Sequence, residues 1–164
     1  MEPTTAATVR PATPADAPAL ARLRYEFRAA LGVPDESEEA FVARCEAWMA
    51  ARLAERDAGP WRCWVAEDGG GGGPGPVGTV WLQVIEKVPN PTPEPEAHAY
   101  VTNLYVRPRA RGGGTGSALL AAALAWCEAR RVHAVILWPT PRSRPLYERH
   151  GFSTPASLME RVDE

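Results

Sequence analysis

Apolar positions along the chain recur with two periods, and the switches between them mark out its elements. Val9 and Arg10, after a Thr/Ala stretch, read as a short first strand. Thr13 is placed to cap a helix with Pro14 at its first position and Asp16 at its third. A capping hydroxyl accepts from the unpaired N–H groups of the first turn, and proline brings no N–H that would go unpaired there. Leu20, Leu23, Phe27 and Leu31 follow three or four apart, on one helical face, until Gly32 and Pro34 stop the run. Ser37 caps a second helix whose apolar face is Phe41, Cys45, Trp48, Met49 and Leu53, ending near Gly59-Pro60. Its aromatics are expected to pack on a sheet, and the loop between the two helices is a further candidate lining for a substrate pocket.

The period then shortens. Trp61 to Ala66 is strand-like, and Gly69–Pro76 reads as a disordered hairpin tip, since a glycine run has nothing to bury. Val77 to Val88 alternates Val80, Leu82 and Val84 with Thr79, Trp81 and Gln83, the mark of a strand. A proline-rich loop, Pro89–Glu96, leads to a third long strand, His98–Val106, ended by Pro108. Thr115–Arg130 returns to helical spacing with Leu119, Leu120, Ala123, Leu124 and Cys127 on one face. Ala134–Trp138 reads as a buried strand, Pro145–His150 as a short helix stopped by Gly151, and Leu158–Val162 as a terminal strand. The order β-α-α-β-β-β-α-β-α-β predicts an α/β protein with a mixed sheet, and 164 residues suit a single domain.

Composition narrows the classes. No apolar run approaches the roughly 18 residues that span a bilayer, and Met1–Thr5 lacks the basic start and apolar core of a signal peptide, so a cytoplasmic protein is expected. Cys45, Cys63 and Cys127 are odd in number and widely spaced, and His98, His133 and His150 form no metal-ligand pattern, so reduced thiols and no metal are expected. The net charge of −2 hides an asymmetry. Residues 1–104 carry nine basic groups against fifteen acidic ones, whereas 105–150 carry eight arginines against Glu128 and Glu148. A polyanionic ligand near the C-terminal half fits this distribution. Nucleic acid does not, because a net basic domain with interleaved aromatics is lacking.

The basic half contains Arg107-Pro108-Arg109-Ala110-Arg111-Gly112-Gly113-Gly114-Thr115-Gly116-Ser117 between a strand and an apolar helix. The first N–H groups of a helix have no intrahelical partner, the helix dipole adds positive charge there, and glycines let a phosphate approach the backbone. The turn is therefore a candidate pyrophosphate holder, with Arg107, Arg109 and Arg111 adding charge. A Walker A loop is excluded because no lysine follows Gly116. The spacing Gly112-x-Gly114-x-Gly116 is not the dinucleotide fingerprint, and no acidic residue follows the next strand.

The spacing Arg-x-x-Gly-x-Gly at Arg111, Gly114 and Gly116, within Asn103 to Leu120, resembles the cofactor motif of the GNAT superfamily of acyl-CoA-dependent N-acyltransferases. Leu146-Tyr147-Glu148-Arg149-His150-Gly151-Phe152 is similar to the same family's Leu-Tyr-x-x-x-Gly-Phe, and Val9–Asp16 to its first strand-to-helix passage. The resemblance implies one domain over residues 1–164: a mixed, mostly antiparallel sheet of six to seven strands, flanked by about four helices and splayed between 98–106 and 133–138. It implies acetyl-CoA or another acyl-CoA as donor, with the amides of Gly112, Gly113, Gly114, Thr115, Gly116 and Ser117 around its pyrophosphate beside Arg111. The strand backbone at Leu104, Tyr105 and Val106 would hold the pantetheine arm. Thr140 stands where the family often has an arm-contacting asparagine, and Ser143 lies one turn before Tyr147.

Tyr147 matches the family's general acid, which protonates the departing thiolate. Where some members carry a glutamate base, this chain has Tyr100, which leaves a water chain, Glu96, His98 or Glu86 as alternatives. The implied activity is acetyl transfer to the primary amine of a small molecule or peptide by direct attack in a ternary complex. Asp35, Glu36, Glu38 and Glu39 would favour a cationic acceptor unless they are only solvated surface. A CoA-binding sensor with the same fold is the alternative, and a homodimer is an open assembly.

Overall fold

The computed structural model describes residues 7–69 and 73–163. Strands β1 (Thr8–Pro11), β2 (Trp61–Glu67), β3 (Pro76–Glu86), β4 (Ala97–Val106) and β5 (Val135–Ile136) form one sheet in that order. The first three pairings are antiparallel, and β4 and β5 are parallel. Helices α1 (Ala17–Ala29), α2 (Glu38–Glu55), α3 (Thr115–Ala129) and α4 (Arg144–Arg149) flank it. The mixed, mostly antiparallel class is as expected, with five strands among the described residues. The hairpin tip expected at Gly69–Pro76 lies partly, and the segment Met1–Thr5 wholly, outside the described residues; Pro76 already belongs to β3.

The sheet is covered on both faces, and β3 shows why. Val80 and Leu82 pack with Leu119, Leu120 and Ala123 of α3, while Trp81 points the other way into Leu20, Ala21, Met49 and Val65 under α1 and α2. Alternation in β3 therefore divides two apolar layers instead of a core from solvent. Thr79 is completely buried and donates its hydroxyl to the Trp64 carbonyl at 3.0 Å.

Local signals set the helix starts. Ser37 Oγ accepts from the Ala40 N–H at 3.2 Å and caps α2. At α1, Pro14–Asp16 forms a 3-10 turn first. Asp16 accepts from the Thr13 N–H at 2.8 Å and takes both guanidinium nitrogens of Arg10 at 2.8 and 2.9 Å. Arg10 also reaches Glu67 at 2.8 Å, so one charge network ties β1, the entrance of α1 and β2 together. The Arg10 guanidinium holds the Asp16 carboxyl below the usual carboxylate range.

Two expected strands change. Ala134–Trp138 shrinks to Val135–Ile136, which pairs with Ala99 and Tyr100 alone. Leu158–Val162 forms no strand; Leu158, Met159 and Val162 are exposed, and Glu160 accepts from the Trp138 indole N–H at 2.8 Å. An apolar alternation becomes a strand only where a ladder is open to it. A two-residue β5 presents almost no edge to a further strand.

Candidate active site

The shortness of β5 follows from a change in β4. Thr79 of β3 pairs with Tyr105, and Trp81 pairs with Thr102, so two steps along β3 match three along β4. The extra residue falls at Asn103–Leu104, and Asn103 has φ 53°, in the left-handed region that asparagine tolerates better than most side chains. Such a bulge bends its strand and sharpens the local twist. The bend carries β4 away from β5 just past Tyr100, and the edge of β4 from Leu104 to Val106 faces a cavity instead of a neighbouring strand.

That cavity, about 770 Å³, gathers Tyr147 and every residue that the resemblance assigns to the donor except Gly113, which does not line it. Leu104, Tyr105 and Val106 form one wall. Arg111, Gly112, Gly114, Thr115, Gly116 and Ser117 form the second, and Thr140, Ser143 and Tyr147 the third. Gly112 and Gly114 take φ of 86° and 84°, and Gly114 is the residue from which α3 starts. The first helical bond in this turn runs from the Ala118 N–H to Gly114 O at 2.9 Å. Among the described residues, the N–H groups of Gly112 to Ser117 have no protein acceptor. A run of free amides at a helix entrance, in alternating backbone conformations, is a nest for anionic oxygens.

The arginines divide differently from expectation. Arg111 turns back: its Nε donates to Val106 O at 2.7 Å and its guanidinium lies over the Tyr105 ring at 5.6 Å, so it fixes the turn to the strand. Arg107 is neutralised by a two-pronged pair with Glu26 at 2.9 and 3.0 Å, and Arg109 lies 3.6 Å from Asp68. Arg142 and Arg149 line the cavity together with Arg111 and bring it positive charge. Arg144 is turned toward Thr154 and Glu148.

The turn into α4 is built by reciprocal hydroxyls. Thr140 N–H donates to Ser143 Oγ at 2.9 Å, Ser143 N–H donates to Thr140 Oγ1 at 3.2 Å, and Pro141 stands between. This reciprocal pairing, of the kind a capping box uses, braces the turn just ahead of α4, and the two hydroxyls also meet each other at 2.9 Å. At the other end Gly151, with φ 87°, and Phe152 return N–H groups to Glu148 O and Tyr147 O at 3.1 Å each. That closing pattern needs a residue able to go left-handed, which explains the Gly-Phe after the helix. Between the caps Tyr147 is 8% exposed, its ring edge-on to Phe152 at 5.7 Å. Burial pushes its phenol above the ordinary tyrosine value, with the Ser143 hydroxyl opposing. Ser117 Oγ lies 2.7 Å from His150 Nε2, joining the entrance of α3 to the end of α4.

Sequence reasoning missed one wall. Phe27, Ala30 and Leu31 of the α1 end line the same cavity. Phe27 and Leu31 keep helical spacing with the core residues, so nothing local separates them from the core. A second cavity of about 420 Å³ lies across the bulge, under α1 and α2, lined by Trp48, Trp61, Trp81, Tyr100 and Asn103 among others. Of the α2 aromatics expected to pack on the sheet, Trp48 meets Trp61 and Trp81 at 5.3 and 5.8 Å but stays 43% exposed at this cavity. Of the alternatives for a base, Glu86 and Glu96 border a hollow with Arg130 and Arg131, and His98 stacks against His133 at 5.3 Å. None of the three lines either cavity.

A sheet parted at one edge, with free helix-entrance amides beside the parting, is the arrangement of transferases that draw an acyl group from a coenzyme A thioester. The chain belongs to the acetyltransferase (GNAT) family, whose model matches residues 20–152, and it is an acetyltransferase of a family that uses acetyl-CoA. Among solved structures it is similar to a GCN5-related N-acetyltransferase from Ralstonia eutropha JMP134, with 29% identity, a TM-score of 0.75, and coverage of 95% of this chain and 98% of that one. A predicted acetyltransferase from Clostridium acetobutylicum, solved with acetyl-CoA, shares the fold at 22% identity and a TM-score of 0.75, over 95% and 96% of the two chains. So does glucosamine-6-phosphate N-acetyltransferase from Arabidopsis thaliana, at 18% identity and a TM-score of 0.67, over 96% and 99%. No curated protein matches the chain significantly. Among the described residues, no helix is long and apolar enough to cross a membrane.

Proposed function

We propose that the protein transfers the acetyl group of acetyl-CoA directly to a primary amine, with both substrates bound at once. The observation that carries this reading is the meeting of two cavities at one bulge. Leu104 lines the cavity with the anion nest, and Asn103, the preceding residue, lines the aromatic one. A donor arm along the free edge of β4 and an amine entering from beneath α1 and α2 converge there without a covalent enzyme intermediate. The nest amides at Gly112–Ser117 fit a pyrophosphate, and Arg142 and Arg149 fit its remaining phosphate charge.

Acetyl-CoA supplies a thioester: the neutral amine forms the new C–N bond, the C–S bond breaks with its electron pair on sulfur, and one proton passes from nitrogen to the thiol. Tyr147 is the group placed to deliver a proton to sulfur. Its raised pKa keeps the phenol protonated at neutral pH, which a donor requires. Among the described residues no carboxylate or imidazole lines either cavity, so the ammonium of the free acceptor loses its proton to water. In a thiol-release assay, Tyr147→Phe is expected to lower kcat by about 100-fold or more while calorimetry finds acetyl-CoA affinity within about threefold of the parent. Undiminished kcat would remove Tyr147 from proton transfer. Absence of thiol release from the parent with every amine would favour the sensor reading.

A further inference from the structure

The second cavity has a charge and a lining that say what kind of amine enters it. Its walls are aromatic: Phe41 and Trp48 from α2, Trp61 and Trp81 from the sheet, and Tyr100 from β4. Trp48 stands 5.3 Å from Trp61 and 5.8 Å from Trp81, and Trp61 is edge-on to Trp81 at 6.1 Å. Among these rings lies Arg24 of α1, half-buried, whose Nη1 donates to Asn103 Oδ1 at 3.3 Å and whose guanidinium faces Phe27 at 5.8 Å. Arg24 has no carboxylate within ion-pairing distance among the described residues, whereas Arg44 at the same cavity is paired with Glu36. Asp35 and Glu36 border a neighbouring hollow that Arg24 also lines, but neither lines this one, and neither is within ion-pairing distance of Arg24. The Trp81 indole N–H is buried without an acceptor among the described residues.

A guanidinium withdrawn from water is costly unless a counter-charge meets it. Its planar fork matches a carboxylate. Inside this cavity a cationic acceptor such as a polyamine would meet the like charge of Arg24 and, among the described residues, no lining acid. Of the acidic run at Asp35–Glu39, none lines this cavity. We infer that the acceptor is an amine that also carries a carboxylate and an aromatic or similarly bulky apolar body, an α-amino acid of that kind, with its carboxylate on Arg24 and its side group among Trp48, Trp61 and Tyr100. The inference rests on the transfer reading above and adds the substrate class. Arg24 bonds the bulge residue Asn103, whose neighbour Leu104 lines the donor cavity, so a carboxylate held there lies beside the junction of the two cavities.

Two readouts separate this inference from the transfer reading it rests on. The first is binding to the CoA-loaded protein, followed by quenching of tryptophan fluorescence. Phenylalanine is compared with phenethylamine, which lacks only the carboxylate, and with spermidine. The second is thiol release with the same three amines and acetyl-CoA. Phenylalanine is expected to bind and to react about 10- to 100-fold better than phenethylamine, the usual worth of a hydrogen-bonded charge. Arg24→Gln should collapse that ratio toward one, mainly through KM, with Arg24→Lys between. Unchanged affinity for CoA shows that both variants are folded. A preference for phenethylamine or spermidine, or an equal loss on both amines in Arg24→Gln, overturns the inference. Arg24-dependent binding of phenylalanine without thiol release would uphold the acceptor class and overturn the transfer reading alone.

Discussion

Gly114→Glu is the perturbation on which the donor assignment most directly stands. Gly114 has φ 84°, and a Cβ built there would meet no atom within 4 Å. The substitution therefore brings no clash, only backbone strain of about 1–2 kcal/mol for an L-residue in the left-handed region. A carboxylate at a helix entrance returns about 0.3–1 kcal/mol by opposing the dipole of α3. Net stability thus falls by about 1 kcal/mol, and the protein remains folded. Donor binding fares differently, because the new charge stands in the nest that would hold phosphate. Two unit charges about 5 Å apart at an effective dielectric constant of about 20 repel by about 3 kcal/mol, so affinity is expected to fall by about 100-fold or more. Calorimetric titration with acetyl-CoA measures this, and thermal unfolding without ligand gives the strain separately. Gly114→Gln carries the same strain and length without the charge and should lose much less affinity. An affinity for acetyl-CoA within threefold of the parent in Gly114→Glu would refute the placement of the pyrophosphate at this turn. An equal loss in the glutamine variant would show that backbone geometry, not charge, governs it.

Other outcomes follow from the same geometry. With no carboxylate or imidazole among the described residues lining either cavity, kcat/KM should rise with pH up to the ammonium pKa of the acceptor and shift when an amine of different pKa is used. A break near pH 6–7 common to all amines would show a protein base. Burial raises Tyr147, so the loss of rate from its ionisation should lie above the ordinary phenol value of about 10. Asp16 is held below its unfolded value by Arg10, so its contribution is present above about pH 4 and lost as pH falls through the folded pKa. Asp16→Asn should cost about 1–3 kcal/mol in urea unfolding at pH 7, with the difference shrinking toward pH 3. A Cβ at Gly78 would come within 3.0 Å of Tyr105 O and 3.2 Å of Leu119 Cδ1. Gly78→Val should therefore lower the midpoint of thermal unfolding by several degrees, and an unchanged midpoint would mean that β4 shifts freely.

What could be read from the residues was local. The entrance of α3, the cap at Ser37, the Gly-Phe closure of α4 and the limits of β2, β3 and β4 depend on chain geometry within a few residues, and their signals lie in those residues. The glycine turn was legible for the same reason, as was the short helix that carries Tyr147. The limits of β5 and the segment Leu158–Val162 were not, because a strand exists only against a partner, and the partner edge was altered by a bulge. Arg107 and Arg109 looked like phosphate ligands until Glu26, 81 positions away from Arg107, and Asp68 were brought against them. The wall made by Phe27, Ala30 and Leu31 and the unpaired Arg24 also depend on how α1 crosses the sheet. By itself the sequence determined the class of protein and the glycine turn of the proposed donor site, since hydrogen bonding and backbone freedom act over short range. Tertiary structure alone decided which charges stay unpaired and where the two cavities meet, because neutralisation and burial are properties of residues that folding brings together from distant parts of the chain.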